Sequence, residues 1–194
     1  AQALKLKAIW LILDDQVGEP IAILRRAYDQ NPRDASILTL MAQAYERDGN
    51  RDLMRESLSL AVQASSRAPA ESLRYAEFLA SEGKLIPAEG VLIDALRIAP
   101  GDVSLLVPLG QIYVEMQDWP RADTVVSELE KQTDPGARQA AQSLRAAILA
   151  GQESTDQAIG YLQTLVSEGK GGLDAQVAIL RAHLPNGQNA KALA

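Results

Sequence analysis

The chain has 194 residues, of which 47% are hydrophobic and only 4% aromatic. A core of domain size can therefore be built, chiefly from Ala, Leu, Ile and Val, and this mixture favours helices. The formal charge is −6 and is divided equally between residues 1–102 and 103–194, so neither half offers the basic surface that binds nucleic acid or an anionic membrane.

The chain contains no cysteine, which excludes disulfides, thiolate zinc sites and cysteine nucleophiles but does not choose between cytoplasm and periplasm. Its longest apolar run, 9–13, is far shorter than the ~20 residues of a membrane-spanning helix. We predict that this run is one helix turn of core, and that the segment is soluble without a membrane span. Because the sequence begins at Ala1 and ends within a helical pattern, we interpret it as a piece of a longer protein, with a lean towards the cell envelope.

A 34-residue period runs through the chain from its start. Pro32 and Pro100 lie 68 residues apart, and Pro135 falls within one residue of the next step. Frames at 1–34, 35–68, 69–102 and 103–136 then align small or apolar residues in four columns. These are, in the eighth, eleventh, twenty-fourth and twenty-seventh positions, Ala8, Ala42, Ala76 and Gly110; Leu11, Tyr45, Leu79 and Tyr113; Leu24, Leu58, Leu92 and Val126; and Ala27, Ala61, Ala95 and Leu129. Such columns are typical of two helices of period 3.6 in each frame.

Helix-boundary signals follow the same period. Asp34 and Asp102 stand where they can cap the first helix of a frame. Gly49 and Gly83 share one column, which we predict to be the turn between the two helices. Proline, which lacks the N–H that a first helical turn leaves unbonded, marks the start of the second helix at Pro20, Pro87 and Pro120.

The pattern loosens towards the end of the chain. Leu144, Ala147 and Gly151 fit the first helix of a fifth frame, 137–172. Its second helix, with Ala158, Leu162 and Leu165, fits only if two residues are added to the turn. A further helix and a Pro185-containing turn predict a truncated sixth repeat at 173–194.

These residues resemble the pattern of the tetratricopeptide-repeat family. The copy at 103–136 is the fullest, with Leu106, Leu109, Gly110, Tyr113, Ala122, Val126 and Leu129. The resemblance implies an all-α fold, a right-handed α-solenoid of antiparallel helix pairs over residues 1–194, of bacterial type. It also implies a protein-interaction scaffold rather than an enzyme.

The motifs that could carry chemistry are weak. His183 is the only histidine, and we interpret it as a packing residue. The run 169–172 lacks two residues of a phosphate-binding loop. The pairs Asp14–Asp15 and Glu128–Glu130 point in diverging directions on a helix. We therefore predict no catalytic residue, no metal site and no cofactor.

In the family, five columns of the first helix line a concave groove, and this resemblance implies the partner-binding residues. They are Thr39, Gln43, Glu46 and Arg47 in the second frame; Leu73 and Glu77 in the third; and Val107, Gln111, Val114 and Glu115 in the fourth. Their amides, carboxylates and aliphatic groups suit an extended or helical segment of a protein or peptide whose identity the sequence does not give.

Two other functions and one further contact stay open at this point. The chain could be an assembly module of a bacterial envelope or exopolysaccharide secretion protein. An RNA-binding helical repeat has a period one residue longer, and the charge of −6 speaks against it, so no nucleic-acid partner is expected. Exposed apolar end repeats could also allow self-association.

Overall fold

The computed structural model describes residues 2–14, 16, 18–152, 155–169 and 177. Within these residues it contains helices and no strand, as the sequence predicts. The contacts divide the chain into two compact units, Ala1–Leu105 and Leu106–Ala194. The helices are α1 (Gln2–Leu13), α2 (Gly18–Gln30), α3 (Ala35–Arg47), α4 (Arg51–Ala64), α5 (Pro69–Ser81), α6 (Leu85–Ile98), α7 (Val103–Glu115), α8 (Trp119–Glu130), α9 (Pro135–Gly151) and α10 (Thr155–Ser167).

The helix starts repeat at the interval that the sequence predicts. Helices α3, α5 and α7 begin at 35, 69 and 103, and α4, α6 and α8 begin at 51, 85 and 119. Both predicted caps are confirmed, since the carboxylates of Asp34 and Asp102 accept from the N–H groups of Ser36 at 3.0 Å and Ser104 at 2.9 Å. The prolines at 20, 87 and 120 all fall within the first three residues of a helix. The assignment of one solenoid to residues 1–194 stays a prediction.

Helices α3, α5 and α7 end in the same backbone turn. One residue adopts the left-handed conformation, with φ of +71° at Gly49, +70° at Gly83 and +57° at Gln117. Its N–H donates to the carbonyl three residues back, and the next N–H donates to the carbonyl five residues back, at 2.8 to 3.1 Å. This pair of hydrogen bonds is the Schellman motif, which favours glycine at the left-handed residue. The glycine column is therefore confirmed as a turn, and Gln117 occupies it without glycine's freedom.

The predicted core columns are buried in both units. Every residue of the eighth, eleventh, twenty-fourth and twenty-seventh columns is buried. In unit 1, α1 packs on α2 and α3, α3 on α4, α4 on α5 and α5 on α6. Small residues such as Ala8 and Ala27 let these helices approach closely, and large ones such as Leu24 fill the space between them.

In unit 2, two glycines lie where one helix packs closely against a side chain of another helix. A Cβ at Gly110 would lie 2.6 Å from Leu144 Cδ1, so an alanine at this crossing of α7 and α9 would require the Leu144 side chain to shift. Gly151, the last residue of α9, lies against the Trp119 ring, where a Cβ would collide with it. The expectation that the fifth frame carries its two extra residues in the turn is wrong. Helix α9 itself is longer, with 17 residues against 13 in α7. Pro135 is the first residue of this helix and Asp134 caps it.

The prediction that 9–13 is a turn of core is also wrong. Leu11 and Ile12 are buried, whereas Ile9, Trp10 and Leu13 are exposed. The helix is apolar on both sides, and only one side faces α2 and α3. The truncated sixth repeat apart from residue 177, His183, Asp15 and the glycines at 171 and 172 lie outside the described residues.

Candidate functional site

A groove in unit 1 gathers several predicted partner-binding residues. This N-terminal groove has a volume of about 470 Å³ and is bordered by α3, α4 and α5. Its lining consists of Thr39, Ala42, Gln43, Glu46, Gly49, Arg51, Met54, Leu58, Arg74, Glu77, Phe78 and Ser81. Four of the predicted residues are among them, namely Thr39, Gln43, Glu46 and Glu77.

The floor of the N-terminal groove is apolar and buried. Ala42, Leu58 and Phe78 form a buried cluster there, with Met54 and Tyr75 packed against it. Each of the three helices contributes one member, so the floor exists only when two adjacent helix pairs are stacked. Such a floor suits an aliphatic or aromatic side chain, because apolar surface is removed from water on both sides of the contact.

A cluster of charges holds one end of this groove. Glu82 accepts hydrogen bonds from Arg51 at 2.9 Å, Arg55 at 3.1 Å and Lys84 at 2.9 Å. These bonds, that from Lys84 first, lower the pKa of Glu82 to about 2. The two guanidinium groups also lie over the Phe78 ring, at 5.2 and 5.9 Å from its centroid. Phe78 is thereby held between the apolar floor and a fixed cationic edge.

The rim of the groove carries charged side chains that are not engaged in ion pairs within the described part of the chain. Glu46, Arg74 and Glu77 make no ion pair with any residue that the structure describes. The Thr39 hydroxyl is shut off from solvent and also has no hydrogen-bond partner within the described part of the chain. A buried polar atom without a partner costs free energy, but because this hydroxyl is enclosed, an incoming chain cannot reach it without a rearrangement of the site. The groove therefore offers its charges to an incoming chain.

A second, adjoining groove continues the same surface towards the N-terminus. This α1 groove, of about 380 Å³, is bordered by α1, α3 and α5 and shares Thr39, Gln43 and Arg74 with the N-terminal groove. Lys5 lies in its lining and donates to Asp34 at 2.9 Å and to Ser36 at 2.8 Å. Burial alone would raise the pKa of Asp34, but the bonds from Lys5 and Ser36 outweigh it and the pKa is lowered.

Unit 2 has its own groove, between α7 and α9. This C-terminal groove has a volume of about 390 Å³, and Val107 and Gln111 lie in its lining, with Gln139, Ser143 and Leu144 opposite. The remaining predicted residues line none of these three grooves. Arg47 and Glu115 are exposed on their helices, and Leu73 and Val114 are half-buried.

Sequence reasoning missed two residues that shape the site. Arg74 lines both grooves of unit 1, and Phe78 supplies the floor. Each lies one column away from a column that the family resemblance assigns to the groove. A signal for Phe78 was present, because its column is apolar in all four frames, with Trp10, Ala44 and Ile112 as the other members. Nothing in the sequence alone marks Arg74 as free of an ion pair.

The described residues contain neither a metal-binding cluster nor a membrane-spanning helix. No group of three or more His, Asp or Glu side chains is placed there to hold a metal ion. No helix in that part of the chain is both long and apolar enough to cross a bilayer.

The fold has clear counterparts among solved structures. A tetratricopeptide-repeat protein from Parabacteroides merdae is 16% identical, with a TM-score of 0.78 over 99% of this chain and 75% of its own. PilW, a type IV pilus biogenesis factor, is 15% identical, with a TM-score of 0.69 over 99% of this chain and 88% of its own. A thermophilic tetratricopeptide-repeat protein of Thermus thermophilus is 20% identical, with a TM-score of 0.59 over 94% and 98%. No family model and no curated protein matches the sequence. The chain thus has the tetratricopeptide-repeat fold, an α-solenoid of antiparallel helix pairs.

Proposed function

We propose that this chain, whose fold is that of the tetratricopeptide-repeat proteins, is a protein-interaction scaffold that holds a segment of a partner protein and has no catalytic activity. The observation that carries the proposal is the N-terminal groove, where a buried apolar floor lies beneath charges that make no ion pair within the described part of the chain. In such a site apolar contact supplies affinity and the charged rim supplies specificity. The likenesses to solved structures support the fold and do not favour the alternative of an envelope or secretion assembly module.

The rim indicates what the partner segment carries. Glu46 and Glu77 would accept hydrogen bonds from a basic side chain whose aliphatic stem lies on the floor. Arg74 would donate to a carboxylate or to backbone carbonyls, and the Gln43 amide would bond backbone groups. The partner segment is therefore an apolar anchor followed by a basic residue, in an extended or helical conformation.

The proposal also includes the other predicted contacts, which lie outside the N-terminal groove. Val107 and Gln111 would bind a partner in the C-terminal groove, and Val114 and Glu115 would extend that contact along α7. Arg47 and Leu73 would contact the partner beyond the edges of the N-terminal groove. We propose a protein or peptide partner, and no nucleic acid, for all of them.

The test is capture of partners by the purified chain, followed by affinity measurement with the captured segment as a synthetic peptide. Changing Gln43 and Glu77 together to Ala removes one amide and one carboxylate from the groove. The loss of two such contacts, each worth about 1 kcal/mol, should weaken binding ~10- to 100-fold.

A matched control keeps the same chemistry outside the groove. Gln30 and Glu56 are exposed on α2 and α4 and line no groove described above, so their joint change to Ala should leave the affinity unaltered. An affinity that survives the groove substitutions, or that falls equally in the control, would refute the groove as the binding site.

A further inference from the structure

Helix α1 carries an apolar stripe on the side that faces away from its neighbours. Ala8, Leu11 and Ile12 are buried against α2 and α3. On the opposite side Leu6 is 60% exposed, Ile9 38%, Trp10 64% and Leu13 73%. These four residues follow the spacing i, i+3, i+4, i+7 and so form one continuous stripe. A helix that is apolar all round is normally covered on all sides.

The repeated structure shows what covers this side of a first helix. Trp10 occupies the same column as Ala44 in α3 and Phe78 in α5, which are 1% and 4% exposed. Ala44 is buried in a cluster with α2, and Phe78 in a cluster with Leu58 of α4. In both cases the cover includes the preceding helix. No described helix lies in that place for Trp10. The other members of the stripe, Leu6, Ile9 and Leu13, align with residues of α5 that line the N-terminal groove, namely Arg74, Glu77 and Ser81. The stripe therefore joins the helix-docking column of Trp10 to the groove side of α1.

We propose that the α1 stripe binds α1 of a second copy of this chain, antiparallel, across a two-fold axis. The spacing of the stripe is unchanged when its order is reversed, so the axis brings Leu6 opposite Leu13 and Ile9 opposite Trp10. An interface of this kind, the same patch on both subunits, is the commonest in homodimers.

The charges of α1 favour the antiparallel arrangement. Lys5 and Lys7 lie in its first half, where Lys5 is paired with Asp34 and Lys7 with the exposed Glu19. Asp14 follows its last turn, and this order of charges is the reverse of the one that the helix dipole favours. Antiparallel pairing puts the basic half of one helix beside the acidic end of the other, whereas parallel pairing would bring like charges together. Asp14 makes no ion pair with the rest of the described chain and is available for this contact. A single helix pair lies at the small end of interface sizes, about 1,200 Å² in total, so we expect a dissociation constant in the micromolar range.

The experiment is analytical ultracentrifugation of the 194-residue chain between ~1 and ~100 µM, a range that brackets this affinity. We expect a monomer–dimer equilibrium that Leu13→Glu weakens at least tenfold. Ile86→Glu is the control, because Ile86 on α6 is 71% exposed and lies outside the stripe. Far-UV circular dichroism checks that both variants stay folded. A monomer at all concentrations, or a dimer equally sensitive to both variants, would overturn the proposal.

Two further measurements fix the surface and the direction. With Trp119→Phe as background, Trp10 is the remaining tryptophan, and its emission should shift to shorter wavelength as the dimer forms. A spectrum that is independent of concentration while dimers form would place the interface elsewhere.

Lys7→Glu and Asp14→Lys should each weaken the antiparallel dimer, and the double swap should restore it. A double swap no better than the singles would overturn the antiparallel arrangement. No residue of α1 lines the N-terminal groove, whereas Leu6 and Ile9 line the adjoining α1 groove, so the dimer would cover part of the α1 groove and leave the N-terminal groove open.

Discussion

Replacing Gly83 with Ala should destabilise the protein through backbone conformation alone. Gly83 has φ of +70°, and a Cβ built on it would meet nothing within 4 Å. Packing therefore contributes nothing to the change. An L-residue in the left-handed region costs about 1–2 kcal/mol, while the loss of glycine's freedom in the unfolded chain returns about 0.4–1 kcal/mol. The net expected loss in the free energy of unfolding is about 1 kcal/mol.

Gly90 provides a control in the same pair of helices. It lies within α6, it is exposed, and a Cβ there would also meet nothing within 4 Å. Since Ala is the better helix former, Gly90→Ala should stabilise by about 0.5–1 kcal/mol. The same replacement in equally open surroundings thus has opposite signs. Gln117→Gly, in the third copy of the Schellman turn, tests the converse and should be stabilising by up to ~1 kcal/mol.

Urea unfolding followed by circular dichroism measures these differences, with the slope compared among variants so that a change in midpoint reports stability. A stabilising Gly83→Ala, or a Gly90→Ala that destabilises as much as Gly83→Ala, would refute the conformational argument. Equal effects of the two would mean that local packing or solvation, rather than φ, controls these positions.

Three further predictions concern other contacts. Gly110→Ala should destabilise by about 1–3 kcal/mol, because its Cβ would lie 2.6 Å from Leu144 Cδ1, and Leu144→Val should recover part of the loss; additive urea midpoints would contradict the shared contact. Gly151→Ala should displace the Trp119 ring, and with the other tryptophan replaced by Phe the emission maximum should shift; an unchanged spectrum would argue against the contact. Because the folded pKa of Glu82 is lowered from 4.5 to about 2, its contribution to stability is present above pH 4.5 and lost as the pH falls towards 2. Glu82→Gln should therefore lower the urea midpoint at pH 7 and make it less dependent on pH in that window, and a parallel shift at all pH values would contradict this assignment.

Much of the fold could be predicted because its determinants are local. The columns of Ala8 and Leu24 recur every 34 residues, and each residue packs mainly on neighbours within one repeat length. The caps at Asp34 and Asp102 depend on residues immediately next to them, so the sequence contains the whole motif. Gln117 adopts the turn conformation without glycine because the two hydrogen bonds of the Schellman motif form around it as they do around Gly83.

The parts that could not be predicted depend on what lies across from a helix. The exposed Trp10 has the same apolar character as the buried Phe78, and only the position of a preceding helix distinguishes them. Gly151, the last residue of α9, lies against the Trp119 ring of α8, and sequence spacing does not reveal this contact. Arg74, which lines the groove, is available to a partner because no carboxylate of the described chain pairs with it. Sequence spacing does not reveal this.

The long-range polar contacts of unit 1 have a consequence for synthesis on the ribosome. Lys5 and Asp34 are 29 residues apart, Arg51 and Glu82 are 31 apart, and Arg25 donates to the Tyr45 hydroxyl 20 residues away. In each of these contacts, the second residue is synthesised within about one repeat length after the first. Since short loops are closed quickly and at low entropic cost, each helix pair can dock as soon as the next emerges. The nascent protein should therefore gain stability stepwise from its N-terminus rather than in a single late event.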